Sequence, residues 1–94
     1  MITIYSKDGC PYCVKAKDLL EEYSIEHNVV KIDEDDLAWD FVVKEGHRTV
    51  PQLYVRDTLL VEGGFAGLSR VPQALLEARV VEILSDYDKD DTNL

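Results

Sequence analysis

Cys10 and Cys13 are the only two cysteines of this 94-residue chain, and they stand in the sequence Cys10-Pro11-Tyr12-Cys13. With two residues between the thiols, a disulfide can close when the first cysteine lies at the N-terminus of a helix. Apolar residues at helical spacing follow at once, and a strand-like run, Ile2 to Ser6, precedes the pair. A strand, a short loop and a Cys-x-x-Cys that opens a helix predict thiol–disulfide exchange.

The positions of the two thiols predict different roles for them. A thiolate attacks a disulfide, and the free N–H groups at a helix N-terminus lower the pKa of a cysteine there. Cys10 is expected just before the helix and Cys13 one turn inside, more buried and less ionised. Cys10 therefore attacks and Cys13 resolves the mixed disulfide. Lys7 adds to the positive field or is a solvated loop lysine, and Tyr12 is a rim residue beside Cys10 or a surface-packing aromatic.

Zinc binding is the competing chemistry for a cysteine pair, and it needs four ligands. The remaining candidates, His27 and His47, lie at the ends of predicted elements and are not in ligand spacing with each other. We therefore predict no metal site. A purely structural disulfide is uncommon in a cytosolic chain.

The elements around the pair predict an α/β fold in the order βαβαββα. A βαβ unit has parallel strands, and a closing hairpin adds antiparallel ones, so we expect a mixed four-stranded sheet flanked by helices. The predicted strands are 2–6, 26–32, 52–56 and 59–62, and the helices are 12–23, one from about Leu37 that stops near Gly46, and 68–84. The last residues of the acidic run 33–36 are expected to cap the second helix.

Two further segments carry signals in the sequence. Pro51 belongs at the start of a strand, because a proline would remove a hydrogen bond from a central one. A cis Val50–Pro51 bond would present the Val50 backbone to an extended substrate beside Cys10. Gly63-Gly64 permits unusual φ values and a close backbone approach, although a tight strand-to-helix turn explains it equally well.

Length and composition predict one small domain, residues 1–85, followed by an acidic tail, residues 86–94. The tail, with Asp86, Asp88, Asp90 and Asp91 against Lys89, is expected to be a frayed, solvated end. The net charge of −9 disfavours nucleic acid and anionic membrane surfaces as partners. It favours solubility and partners with basic patches, or it merely keeps a small protein monomeric. No apolar run approaches the roughly 20 residues that span a bilayer, and the first residues lack the features of a signal peptide, so we expect a cytoplasmic protein.

Three motifs together resemble the glutaredoxin family: Cys10-Pro11-Tyr12-Cys13, Arg48-Thr49-Val50-Pro51-Gln52 and Gly63-Gly64. The resemblance extends to about Leu84. It implies a thioredoxin-like fold, a cytoplasmic location, glutathione as reductant and no tightly bound cofactor. It also implies that Pro51 is cis and that Arg48 neutralises a glutathione carboxylate or forms a surface salt bridge. The glutathione groove that it implies is lined by Lys7, Tyr12, Thr49, Val50, Gly63 and Gly64.

One segment departs from the family's pattern. After the paired glycines, glutaredoxins usually carry an Asp that binds the γ-glutamyl end of glutathione, whereas this chain reads Phe65-Ala66-Gly67. The loss of such a contact costs about 1–3 kcal/mol. Gly64-Phe65 also fits the glutaredoxin-like redoxins, which serve ribonucleotide reductase and take electrons from thioredoxin reductase.

The prediction is a glutathione-dependent oxidoreductase that reduces protein disulfides and glutathione mixed disulfides, with ribonucleotide reductase as a client that the resemblance implies. The redoxin is the first alternative. A metal or iron–sulfur module is the second, since monothiol members of the family bind clusters, but Cys13 and Pro11 disfavour it.

Overall fold

The computed structural model describes the backbone of residues 1–92 and the side chains of residues 1–86. Its strands are β1 (Ile2–Ser6), β2 (His27–Lys31), β3 (Gln52–Val55) and β4 (Thr58–Leu59). Its helices are α1 (Pro11–Glu22), α2 (Asp36–Lys44), α3 (Gly64–Ser69) and α4 (Gln73–Thr92). Among the described residues, no helix combines the length and apolar character needed to cross a membrane.

The four strands form one mixed sheet in the order β2-β1-β3-β4. β1 runs parallel to β2, with Ile4 opposite Val29, and antiparallel to β3, with Ile4 also opposite Leu53. β3 and β4 form an antiparallel hairpin. The predicted mixed four-stranded sheet is therefore confirmed, and it places the end of β1, which leads to Cys10, beside the start of β3.

Two apolar clusters show that helices cover both faces of the sheet. Ile2 and Ile4 pack with α1, α3 and α4 through residues such as Leu20, Leu68 and Leu76. The smaller cluster joins α2 to the other face and contains Ile32, Ala38 and Val42, with Tyr5, Val30, Phe41 and Val50 packed against it. Because successive residues of a strand point to opposite faces, Ile4 and Tyr5 belong to different clusters.

Local sequence explains where the first two long helices begin. Pro11 occupies the first turn of α1, where its missing N–H leaves no hydrogen bond unmade. The Asp35 carboxylate accepts a hydrogen bond from the Ala38 N–H at 3.1 Å and caps α2, as its position in the acidic run predicted.

The helix predicted over 68–84 is wrong in its bounds, because the structure has two helices there. α3 begins at Gly64 and α4 at Gln73, with Pro72 between them. Proline has no N–H to donate and disfavours helical backbone in the residue before it, so Pro72 separates the two. α4 also continues to Thr92, past the predicted end near Leu84.

The β3–β4 hairpin differs from its predicted bounds. The hairpin turn lies at Arg56 and Asp57 rather than at Asp57-Thr58, and Arg56 adopts a positive φ of 54° there. Because the turn comes one residue earlier, β4 begins at Thr58, and it ends at Leu59 instead of spanning 59–62.

The predicted domain boundary between residues 85 and 86 remains a prediction. The expected solvated side chains of the acidic tail lie, from residue 87 onward, outside the described residues.

A hydrogen-bonded aromatic cluster ties the segment after α2 to β3. The Tyr54 hydroxyl donates to Glu45 Oε1 at 3.1 Å and lies 2.6 Å from His47 Nε2. Since that hydroxyl has one proton, His47 Nε2 acts as the donor to it. Burial and then the hydrogen bond to Glu45 raise the pKa of Tyr54 to about 12. This contact fixes the chain just before the Arg48–Pro51 segment.

Candidate active site

Cys10 and Cys13 form a disulfide at the start of α1, with their Cα atoms 5.3 Å apart. Cys10 is the N-cap residue, with extended backbone at φ −104° and ψ 103°, and its Sγ accepts a hydrogen bond from the Cys13 N–H at 3.2 Å. The sulfur of Cys10 therefore lies where the free N–H groups of the helix converge, as the spacing of the pair predicted.

The two sulfurs differ in exposure. Cys13 is 5% exposed and packs inside α1, whereas Cys10 is half-buried at the surface. A substrate disulfide can therefore reach Cys10 more readily than Cys13. This is the asymmetry on which the predicted roles of attacking and resolving thiol depend.

The Thr49-Val50-Pro51 segment lies directly beside Cys10. The Val50–Pro51 bond is cis, as the family resemblance implies, and the Val50 carbonyl oxygen is 3.7 Å from Cys10 Sγ. The Gln52 side chain, 5% exposed, donates to the Thr49 carbonyl at 3.0 Å. Sequence reasoning gave Gln52 no role, although a polar residue that opens a buried strand is a signal that its side chain has a partner inside.

Six of the predicted groove residues line one cavity of about 310 Å³ on this side of the sheet. Gly64 has φ +59°, and a Cβ there would lie 2.8 Å from the Pro51 carbonyl oxygen, so the position requires glycine on both grounds. The Tyr12 ring stacks on Phe65 with centroids 6.2 Å apart, which makes both aromatics a rim of the groove. We call this cavity the glycine groove; its lining is Tyr12, Thr49, Val50, Pro51, Gly63, Gly64, Phe65 and Ala66.

The other two predicted residues, Lys7 and Arg48, line a second cavity of about 370 Å³, which we call the Trp39 pocket. It meets the glycine groove at Thr49 and Val50, which line both. Sequence reasoning assigned Trp39 no role in a site, although its spacing of one helical turn from Val43 was an available signal. The full lining is Lys7, Ile32, Trp39, Val42, Val43, His47, Arg48, Thr49 and Val50.

The structure explains why one expected acidic position carries no side chain. A Cβ on Gly67 would collide with the backbone carbonyl oxygen of Glu62, which packs against α3. Ala66 is exposed at the edge of the glycine groove and has no polar side-chain atom. Neither residue offers a carboxylate to a ligand in the groove.

The two histidines considered as metal ligands have other contacts. His27 Nδ1 lies 2.8 Å from the Ile25 carbonyl oxygen, and His47 is engaged with Tyr54. Within the part of the chain that the structure describes, no three His, Cys, Asp or Glu side chains group in a way that could hold a metal ion.

Glutaredoxins are prominent among the known proteins that this chain resembles. The family model described as Glutaredoxin matches residues 2–60. Glutaredoxin-C4 of Arabidopsis thaliana is 40% identical over 58 residues, which cover 57% of this chain and 43% of that protein. The chain spans about half the length of the first curated relatives it matches, and 53% of one from Synechocystis sp..

Solved structures with the same fold include a glutaredoxin in complex with glutathione. The buckwheat glutaredoxin–glutathione complex superposes with a TM-score of 0.62 at 19% identity, over 90% of this chain and 76% of that one. The glutaredoxin-like protein NrdH-redoxin of Escherichia coli gives 0.62 at 23% identity, over 76% and 95%. At these identities the likeness confirms the predicted thioredoxin-like fold.

Proposed function

We propose the following function for this chain, which belongs to the glutaredoxin family, a family of thiol oxidoreductases. The chain is a glutathione-dependent oxidoreductase that reduces protein disulfides and glutathione mixed disulfides. The observation that carries this proposal is the disulfide between half-buried Cys10 and buried Cys13, with Cys10 Sγ 3.7 Å from the Val50 carbonyl oxygen.

The reaction is two successive exchanges. The Cys10 thiolate attacks one sulfur of the substrate disulfide; that bond breaks, a Cys10–substrate disulfide forms, and the other sulfur leaves as a thiolate that takes a proton. Cys13 then attacks Cys10 Sγ, which releases the second substrate thiol and leaves the Cys10–Cys13 disulfide. Two glutathione molecules restore the dithiol and leave as glutathione disulfide, so two electrons enter and two reach the substrate.

The residues around Cys10 supply a binding site for an extended tripeptide. Val50 presents its backbone beside the reacting sulfur, where it pairs with the cysteine of glutathione as a short added strand. Lys7 and Arg48, both exposed, take the glycine carboxylate on the side of the Trp39 pocket. Gly63 and Gly64 leave room for the γ-glutamyl end, and Tyr12 and Thr49 complete the walls. The buckwheat glutaredoxin–glutathione complex, which shares the fold, supports glutathione as the ligand class.

The wider setting of the reaction follows from the family. Glutaredoxins use glutathione as reductant and need no tightly bound cofactor. The proposed clients are proteins with disulfide or glutathionylated cysteines, with ribonucleotide reductase among them. We further propose that the chain acts as a monomer in the cytoplasm.

A coupled assay tests the electron source. With glutathione, glutathione reductase and a glutathionylated peptide, the chain is expected to sustain NADPH oxidation, because glutathione returns the Cys10–Cys13 disulfide to the dithiol. With thioredoxin reductase in place of the glutathione system, we expect a rate at least tenfold lower. NADPH oxidation only in the thioredoxin reductase arm would overturn the glutathione proposal.

The second candidate function is a redoxin reduced by thioredoxin reductase. The observation that favours it is the missing carboxylate of α3: Gly67 has no room for a side chain beside the Glu62 carbonyl, and Ala66 has no polar atom. A groove without that contact binds the γ-glutamyl ammonium less tightly, by about 1–3 kcal/mol. The second arm of the same assay is the test of this candidate.

A further inference from the structure

The Trp39 pocket has both buried and exposed apolar walls. Ile32 and Val42, 8% and 3% exposed, lie at its base, whereas Trp39 and Val43 are 46% and 55% exposed. Trp39 and Val43 are four residues apart on α2, so their side chains lie on the same face of the helix. Two large apolar side chains thus face water around a concave surface, and covering them with a ligand is favourable.

The charge of the pocket selects the kind of ligand. Its described lining includes Lys7 and Arg48 and contains no carboxylate, in a chain whose net charge is −9. Among the described residues, neither cation takes part in an ion pair. An apolar surface flanked by unpaired cations fits an apolar side chain that carries a carboxylate close to it.

The pocket is also continuous with the reacting centre. Thr49 and Val50 line both the Trp39 pocket and the glycine groove, and the Val50 carbonyl lies beside Cys10 Sγ. If a substrate cysteine lies at Val50 with its preceding residue in the glycine groove, as proposed for glutathione, the residue that follows the cysteine lies in the Trp39 pocket. In glutathione that residue is a glycine, which has no side chain to place against Trp39 or Val43.

We propose that the Trp39 pocket is a specificity subsite for an apolar side chain that directly follows the reacting cysteine of a protein client. The residue is the last of the client's chain, and Lys7 and Arg48 hold its terminal carboxylate. The subsite specifies which clients the proposed oxidoreductase prefers, and this inference rests on the proposed function. Trp39 and Val43 act here as specificity-determining residues, because they contact the client away from the sulfur atoms.

Two short peptides that differ at one residue test the subsite. Acetyl-Ala-Cys-Leu and acetyl-Ala-Cys-Gly, each with a free carboxylate, are prepared as mixed disulfides with 5-thio-2-nitrobenzoate. Cys10 attacks the peptide sulfur, the aromatic thiolate leaves with the electron pair of the broken bond, and its absorbance reports the second-order rate constant. The reduced protein is expected to react about tenfold faster with the leucine peptide, since only leucine covers the apolar wall.

Matched variants separate the pocket from the chemistry. Trp39→Ala is expected to lower the leucine preference to about twofold or less, and Val43→Ser to lower it in the same direction. Leu37→Ala is the control, because Leu37 is 82% exposed on the same helix and does not line the pocket. It is expected to keep the tenfold preference. Trp39 is the only tryptophan, so its emission should also shift with the leucine peptide and not with the glycine peptide.

The results with the two peptides test the subsite and the proposed oxidoreductase function separately. Equal rate constants for the two peptides in the unaltered protein, or an undiminished leucine preference in Trp39→Ala, would overturn the subsite while leaving thiol–disulfide exchange intact. Failure of both peptides to react would refute the proposed function, and the subsite with it.

Discussion

Replacing Cys10 with serine is expected to reduce exchange activity by more than about a thousandfold, with glutathionylated substrates and with protein disulfides alike. A serine hydroxyl is not ionised at neutral pH and does not attack disulfide sulfur. Cys13 is a poor substitute, because it is 5% exposed and lies one turn inside α1. The measurement is the steady-state rate with each substrate class, at one enzyme concentration.

Cys13→Ser is the matched control for that prediction. It keeps Cys10 at the groove and removes only the resolving thiol, so we expect turnover of glutathione mixed disulfides to persist and reduction of protein disulfides to be lost. In the first case a second glutathione releases the enzyme, whereas in the second the protein client stays bound to Cys10. Retention of either activity by Cys10→Ser would show that the two roles have been assigned to the wrong thiols.

Gly67→Ala is expected to destabilise the fold by about 2–3 kcal/mol, as overpacking against a backbone atom does. The added Cβ would meet the Glu62 carbonyl oxygen, so either the turn before α3 or α3 itself must shift. Helix propensity alone gives the opposite sign, since alanine is favoured over glycine in a helix by about 1 kcal/mol. Urea unfolding of the oxidised protein measures the net effect.

Gly46→Ala serves as the comparison, because no atom lies within 4 Å of a Cβ at that position. Its φ of +87° is the only source of strain there, and we expect a loss of about 1 kcal/mol. A Gly67→Ala protein as stable as the unaltered one would contradict the close packing of Glu62 against α3. It would also remove the steric explanation for the absence of an acidic side chain at residue 67.

Local patterns were enough to predict the parts of the site that depend on neighbours in sequence. The Cys10 position before α1 and the Asp35 cap of α2 follow from short-range hydrogen bonding, which the residue types reveal. The sequence also contains a signal for the break between α3 and α4. Pro72 lies inside the region predicted as one helix, and the prediction did not take account of its helix-breaking effect. From the sequence, Gly63-Gly64 indicates either a tight turn or a close approach between backbone segments. The structure supports the close approach, because the Pro51 carbonyl oxygen would lie 2.8 Å from a Cβ on Gly64.

The Trp39 pocket could not be predicted, because it is formed by elements that are distant in sequence. Lys7 follows β1, Trp39 lies on α2, and Arg48 precedes β3; they meet only because β1 and β3 are neighbours in the sheet and α2 packs on the face that carries Tyr5. A helical pattern shows that Trp39 and Val43 share a face but not what that face borders. The position of a helix over a sheet is set by tertiary packing, which no single segment encodes.

The central claim, that Cys10 is the reactive thiol of the pair, is tested most directly by partial alkylation of the reduced protein. Less than one equivalent of iodoacetamide is added at neutral pH, and the tryptic peptide that spans residues 8–15 carries both cysteines. Fragmentation of that peptide in a mass spectrometer locates the label. We predict that almost all of it is on Cys10, because Cys10 is the half-buried thiol at the free N–H groups of α1 and Cys13 is inside the helix. Equal labelling of the two cysteines, or preferential labelling of Cys13, would contradict the account.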